Sequence, residues 1–221
     1  MNIIPADESK FFIWFFDHYT KWALKRRFKH LWVKQSYQPG NNAKTVYFLN
    51  HNLWWDGLIP LYLNQKIFHQ NARALMEDKQ MQQYTFFSKI GAFSINLEDP
   101  KASVASLRYA LKSMQRKRAS LFIYPEGEIT PASEKEPEFK QGLAWLYQKT
   151  EEVDFVPIAI YSHNLRSSKP ELYLSIGQLV DHDKQLSKSN LTDLFKQDLH
   201  KILTETRSVA GFSDEGFSKQ F

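Results

Sequence analysis

Short apolar runs alternating with longer amphipathic ones constrain this chain most. The runs at 45–49, 72–76, 92–96, 121–124, 155–161 and 172–176 have strand length and are bounded by turn-forming residues. Between them, 101–118 carries Val104, Leu107, Leu111 and Met114 on one helical face. A final helix over 190–206 repeats the pattern with Leu191, Leu194, Phe195, Leu199 and Ile202. Further helices are expected over 56–66, with Pro60 tolerated in the first turn, and over 81–90 and 138–150. Strands alternating with helices predict an α/β domain with a largely parallel central sheet flanked by helices. The 221 residues suffice for one sizeable core. Three segments are expected: an N-terminal helical segment over 1–38, the main domain over 39–208, and a loosely held tail over 209–221.

The N-terminal segment has its own character. Phe12, Phe15, Phe16, Tyr19, Trp22, Ala23 and Leu24 recur at three- and four-residue spacings, predicting a helix over 11–34. Between residues 21 and 34, six positions are Lys or Arg. An amphipathic helix with aromatic and basic faces suits an anionic lipid surface, where rings sit at headgroup level and cations meet the anions. Composition agrees: aromatic residues make up 15% and net charge is +5, which favours anionic partners. Phe12, Trp14, Phe16, Trp22, Arg26 and Arg27 are the expected membrane contacts. No stretch approaches the roughly 18 to 20 apolar residues of a spanning helix, so a peripheral membrane protein is expected. Asp7 and Glu8 interrupt any secretory signal at the start. The chain has no cysteine, which excludes thiol nucleophiles, disulfides and Cys-ligated zinc. No nucleic-acid motif accompanies the basic stretch.

Two stretches carry chemistry. Asn50-His51-Asn52-Leu53-Trp54-Trp55-Asp56 follows one predicted strand and opens a helix. A His at a strand end can be oriented by an Asp in the next turn, leaving its other ring nitrogen to take a proton from a hydroxyl. This is the base and orienter of a catalytic triad, with a substrate hydroxyl as nucleophile. Tyr124-Pro125-Glu126-Gly127 follows another predicted strand, and its Pro and Gly favour a turn that projects Glu126. Reactive groups in open α/β sheets collect beyond the carboxyl ends of strands, so one cleft can hold both stretches. Taken singly, each has a structural reading too, as a helix cap or a solvated turn.

Together these stretches resemble the glycerolipid and lysophospholipid acyltransferases. The family's Asn-His-x4-Asp motif is matched by Asn50, His51 and Asp56. Its Phe-Pro-Glu-Gly-Thr-Arg-Ser motif is matched by Tyr124-Pro125-Glu126-Gly127, and its Val-Pro-Ile strand by Val156-Pro157-Ile158. A Phe-Lys-x-Gly element is matched by Phe139, Lys140 and Gly142. The resemblance covers residues 40–180 and implies catalysis by His51 and Asp56, with Glu126, Gly127, Lys140 and Asn96 binding substrate. It also implies a thioester donor, acyl-CoA or acyl-carrier protein, a lipid hydroxyl as acceptor, and action at the cytoplasmic face. No metal or prosthetic cofactor is expected.

The chain departs from the pattern where family members that act on phosphate-bearing acceptors carry arginine. Gly91-Ala92-Phe93-Ser94-Ile95-Asn96-Leu97 aligns with Gly-x-Ile-Phe-Ile-Asp-Arg, and Glu128-Ile129 replaces Thr-Arg. Arginine's planar fork pairs two phosphate oxygens, and Glu128 repels them. A neutral hydroxyl lipid is therefore the expected acceptor, with Lys101, Arg108 or Lys140 as replacement cations for phosphate. A catalytically silent lipid-binding protein, a nucleic-acid binder and a thioesterase are the rival classes.

Overall fold

The computed structural model describes residues 3–131, 138–165 and 167–221. Its strands are β1 (Leu31–Gln35), β2 (Thr45–Leu49), β3 (Asn71–Glu77), β4 (Ala92–Ile95), β5 (Ala119–Ile123), β6 (Asp154–His163), β7 (Glu171–Ile176) and β8 (Ser218–Lys219). They form one eight-stranded sheet in the order β4-β3-β5-β2-β6-β7-β1-β8. The run from β4 to β6 is parallel. β7 reverses against β6, β1 lies parallel to β7, and β8 closes the edge antiparallel to β1. The expected α/β domain with a largely parallel sheet is what the chain forms.

Every residue of β2 and β5 is buried, as strands covered on both faces must be. Alternate side chains of β2 enter opposite cores. Tyr47 and Leu49 pack with Leu24 and Phe28 of α1 (Lys10–Arg27) and its C-cap, and with Ile59, Tyr62 and Leu63 of α2 (Ile59–Leu63). Val46 and Phe48 pack with Ala110 of α5 (Pro100–Ser113), Leu143 and Leu146 of α6 (Gly142–Lys149), and Phe195 of α7 (Lys188–Val209). After β2 the chain thus enters the layer on one face, and after β5 the layer on the other. β2 and β5 are neighbours, so their carboxyl ends flank the crevice where such a sheet changes winding direction.

The helix expected over 11–34 is shorter. α1 ends at Arg27, with Lys25, Arg26 and Arg27 in its last turn, where cations suit the helix dipole. Phe28 turns extended, and Leu31–Gln35 joins the sheet with Leu31 and Val33 buried. Pairing with β7, some 140 residues later, overrides the helical spacing. The stretch 56–66 is a tight turn over Trp54–Gly57, then α2, then a wide turn over Asn64–Phe68 that stops at left-handed His69 (φ 51°). The stretch 81–90 divides into α3 (Asp78–Gln83) and α4 (Phe86–Lys89). The tail expected to be loose is docked: β8 pairs with Trp32 and Val33, and Phe221 packs on the core beside α1.

Candidate active site

His51 leaves the end of β2 and Asp56 sits in the turn that follows. Asp56 is fully buried, and its Oδ2 lies 3.0 Å from His51 Nδ1. The same oxygen accepts from the backbone amides of Asn52 and Leu53, each at 2.8 Å. Three donors on one oxygen fix the carboxylate, and through it the imidazole plane. Burial pushes the Asp56 carboxyl above the usual carboxylate range, against the pull of His51 and the two amides. With Nδ1 committed to Asp56, Nε2 is the nitrogen left for chemistry.

The second stretch braces the first. Glu126, 5% exposed, accepts the His51 backbone amide on Oε1 at 2.9 Å and the Thr130 hydroxyl on Oε2. Thr130 in turn donates its amide to the His51 carbonyl at 2.8 Å. Burial raises the Glu126 carboxyl above its ordinary value. Glu126 is therefore a bracket for the His51 backbone rather than a solvated turn residue. Tyr124 stacks on the His51 ring, with centroids 4.4 Å apart.

Gly127 adopts φ +79°, which glycine takes freely. A Cβ there would stand 3.0 Å from Lys140 Cε and 3.1 Å from Leu97 Cδ1. Lys140 thus lies over the Gly127 backbone, and Leu97, standing in for the family arginine, lies beside it. Asn96 is used differently: its Nδ2 donates to Asp78, and its Oδ1 accepts the amides of Glu98 and Asp99. These bonds shape the loop before α5. Among the described residues no group of three or more His, Asp or Glu side chains is arranged to hold a metal ion.

A cavity of about 1080 Å³ opens at His51, Trp54, Gly127 and Ile129. It runs along β3 past Met76, Ala74 and Ala72, walled by Leu58 and Leu61, by Phe86 and Phe87 of α4, and by Phe15, Phe16 and Tyr19 of α1. Its far end is polar, at Asn71, Arg73, Arg116 and Glu8. There Arg73 pairs with Glu8 at 2.6 Å and also donates to Tyr109 and Ser113. A model of the Acyltransferase family matches residues 26–161.

The chain belongs to the acyltransferase family. The solved structure of the 1-acyl-sn-glycerophosphate (LPA) acyltransferase PlsC from Thermotoga maritima shares the fold, with a TM-score of 0.67 at 16% identity. The match covers 89% of this chain and 80% of that one. Comparison with curated protein sequences gives no match.

The acyltransferase's α1 carries a stripe of exposed aromatics. Trp14 and Trp22 are more than half exposed (58% and 56%), and Arg26 lies over the Trp22 ring. Arg27 is exposed beside them. Phe12 and Phe16, expected on the same surface, are half-buried, and Phe16 stacks on Phe86 at 4.3 Å. Phe11 and Phe15 take the outward positions instead. Trp54, 61% exposed, extends the patch to the cavity mouth. Among the described residues no helix is long and apolar enough to cross a membrane.

Three residues make contacts that the motif spacing did not foretell. Asn50 clamps the end of β2 to β6, Thr130 closes the bracket on Glu126, and Tyr124 stacks on His51. Asn50 and Tyr124 stood inside the motifs, but their partners are far along the chain. The cavity is not visible along the chain, because its walls come from segments scattered between Glu8 and Ile129.

Proposed function

We propose that this acyltransferase moves a fatty acyl group from a thioester donor, acyl-CoA or acyl-carrier protein, to a hydroxyl of a lipid acceptor at a membrane surface. The observation that carries the reading is the His51–Asp56 pair at the mouth of a long, largely apolar cavity. Asp56 holds His51 by Nδ1, and Nε2 removes the acceptor's hydroxyl proton. The oxygen attacks the thioester carbon to form a tetrahedral intermediate. Its collapse forms the ester and expels the thiolate, which takes the proton back from His51. The apolar cavity receives the acyl chain. Glu126 and Gly127 shape the acceptor side, with Lys140 over Gly127 and Asn96 holding the neighbouring loop. The chemistry asks for no metal or prosthetic group.

The acceptor is a neutral hydroxyl lipid. Supporting this, Leu97 and Ile129 occupy the two positions where arginines would grip a phosphate, with Lys140 over the neighbouring Gly127. The exposed aromatics and cations of α1 adjoin the cavity mouth, which supports delivery of both substrates from an anionic leaflet. Thioester donors assign the reaction to the cytoplasmic face. The testing experiment follows labelled acyl-CoA and acyl-carrier protein into total membrane lipid, for wild type beside His51→Ala. A new acylated lipid, lost in the variant, upholds the reading. Free fatty acid alone makes the protein a thioesterase, and efficient use of lysophosphatidic acid overturns the neutral acceptor.

A further inference from the structure

Tyr124 stands where the related motif carries phenylalanine, and both parts of its side chain engage the His51–Asp56 pair. Its ring lies against the His51 imidazole, with centroids 4.4 Å apart and planes 30° apart. Its hydroxyl donates to the Asp56 backbone carbonyl at 2.5 Å. Burial pushes the phenol well above its ordinary range, so it stays protonated and remains a donor. One residue at the end of β5 thus touches the imidazole on its face and the orienting residue through its main chain.

The charge that develops during the reaction gives this contact its consequence. Before the reaction the imidazole is neutral, and once it holds the acceptor's proton it is a cation. An aromatic face is the negative end of the ring's quadrupole, so it attracts a cation more than a neutral ring at the same distance. Among the described residues, the other charged groups bonded to His51 are Asp56 at Nδ1 and Glu126 at its backbone amide, while Lys140 lies over Gly127. Neither carboxylate covers the imidazole face that Tyr124 covers.

We propose that Tyr124 is a positioning residue whose ring stabilises the imidazolium form of His51 in the transition state, while its hydroxyl fixes the turn that carries Asp56. The proposal rests on the reading of His51 as general base. Interactions stronger in the transition state than in the ground state raise the rate, and this one strengthens only when the proton arrives.

The test measures kcat and the pH dependence of kcat/KM for wild type, His51→Ala, Tyr124→Phe and Tyr124→Leu, with a thermal melt for each. Tyr124→Met, which keeps apolar bulk without a ring, replaces the leucine variant if that one fails to fold. Loss of the ring is expected to lower kcat about three- to thirtyfold. It should also move the acid limb of the profile to lower pH. Tyr124→Phe keeps the ring, so its acid limb should coincide with that of wild type while its melting point falls. An acid limb that stays in place in a folded ringless variant overturns the proposal, as does an equal displacement in Tyr124→Phe. Substantial activity in His51→Ala would instead overturn the underlying reading, whatever Tyr124 does.

Discussion

Asn50 and Ile160, 110 residues apart, exchange two hydrogen bonds: the Asn50 amide donates to the Ile160 carbonyl at 2.8 Å, and the Ile160 amide donates back to Asn50 Oδ1 at 2.7 Å. The side chain thereby continues the β2–β6 pairing beyond Leu49, its last backbone partner. His51 is the next residue, so its starting direction is set by a contact with a distant strand. Asn50→Ala strands a buried donor and a buried acceptor on Ile160. It should destabilise the fold by roughly 2 to 4 kcal/mol, read by urea denaturation. Asn50→Asp should do no better, because it sets a carboxylate against the Ile160 carbonyl.

Asp56→Asn should separate stability from turnover. Burial raises the folded carboxyl above its ordinary 3.8, so the folded state binds more protons than the unfolded chain through that window. Wild type therefore loses stability as pH rises through the window, and the penalty is complete above the folded value. Glu126, also raised by burial, contributes with the same sign. Asp56→Asn lacks its share, so its melting temperature should gain on wild type as pH rises above 3.8. Acyl transfer should meanwhile fall by roughly 10³ to 10⁴-fold, the scale seen when an orienting carboxylate becomes an amide.

Glu126→Gln should be far milder than Glu126→Ala. Glutamine can still accept from the His51 amide, whereas alanine leaves that N–H without its partner at about 1 to 3 kcal/mol. Steady-state kinetics on the alanine variant should show the loss mainly in kcat, because the imidazole moves with its backbone.

Ala74→Phe should shorten the preferred donor. Ala74 lines the middle of the cavity on β3, with Phe86 and Phe87 among the opposing walls. A ring there blocks the far half and leaves the His51 end open. Competition between donors of graded acyl length should show kcat/KM for the longest falling at least about tenfold, with the shortest little changed.

Trp14→Ala with Trp22→Ala should weaken partition onto anionic liposomes in sedimentation assays, and the loss should persist at high salt. Arg26→Ala and Arg27→Ala should each reduce binding about fivefold at low salt, with the difference shrinking as salt is raised.

Much of the scaffold was legible in the sequence because strands buried on both faces are bounded apolar runs, and β2 and β5 are such runs. β1 was not, because Leu31 and Trp32 follow Phe28 by three and four residues, as in the helix before them, and the partner strand β7 lies far along the chain. The tail was hard to read for the same reason: Ser218–Lys219 pairs with distant β1, and Phe217 packs on Tyr173 of β7. At the candidate site, the motif spacing pointed to His51, Asp56 and Glu126. It did not show that Glu126 reaches back to the His51 backbone, nor that Asn96 bonds Asp78 and the amides of Glu98 and Asp99. Those are matters of side-chain direction.

The order of strands has a consequence for how the chain becomes an enzyme. β5 lies between β3 and β2, which come earlier in the chain and are joined in the sheet only through it. The sheet's centre is therefore filled from within by residues 119–123, which bring Tyr124 and Glu126 with them. His51 has its bracket and its stacking ring only when β5 is in place, so one central strand serves both the core and the site.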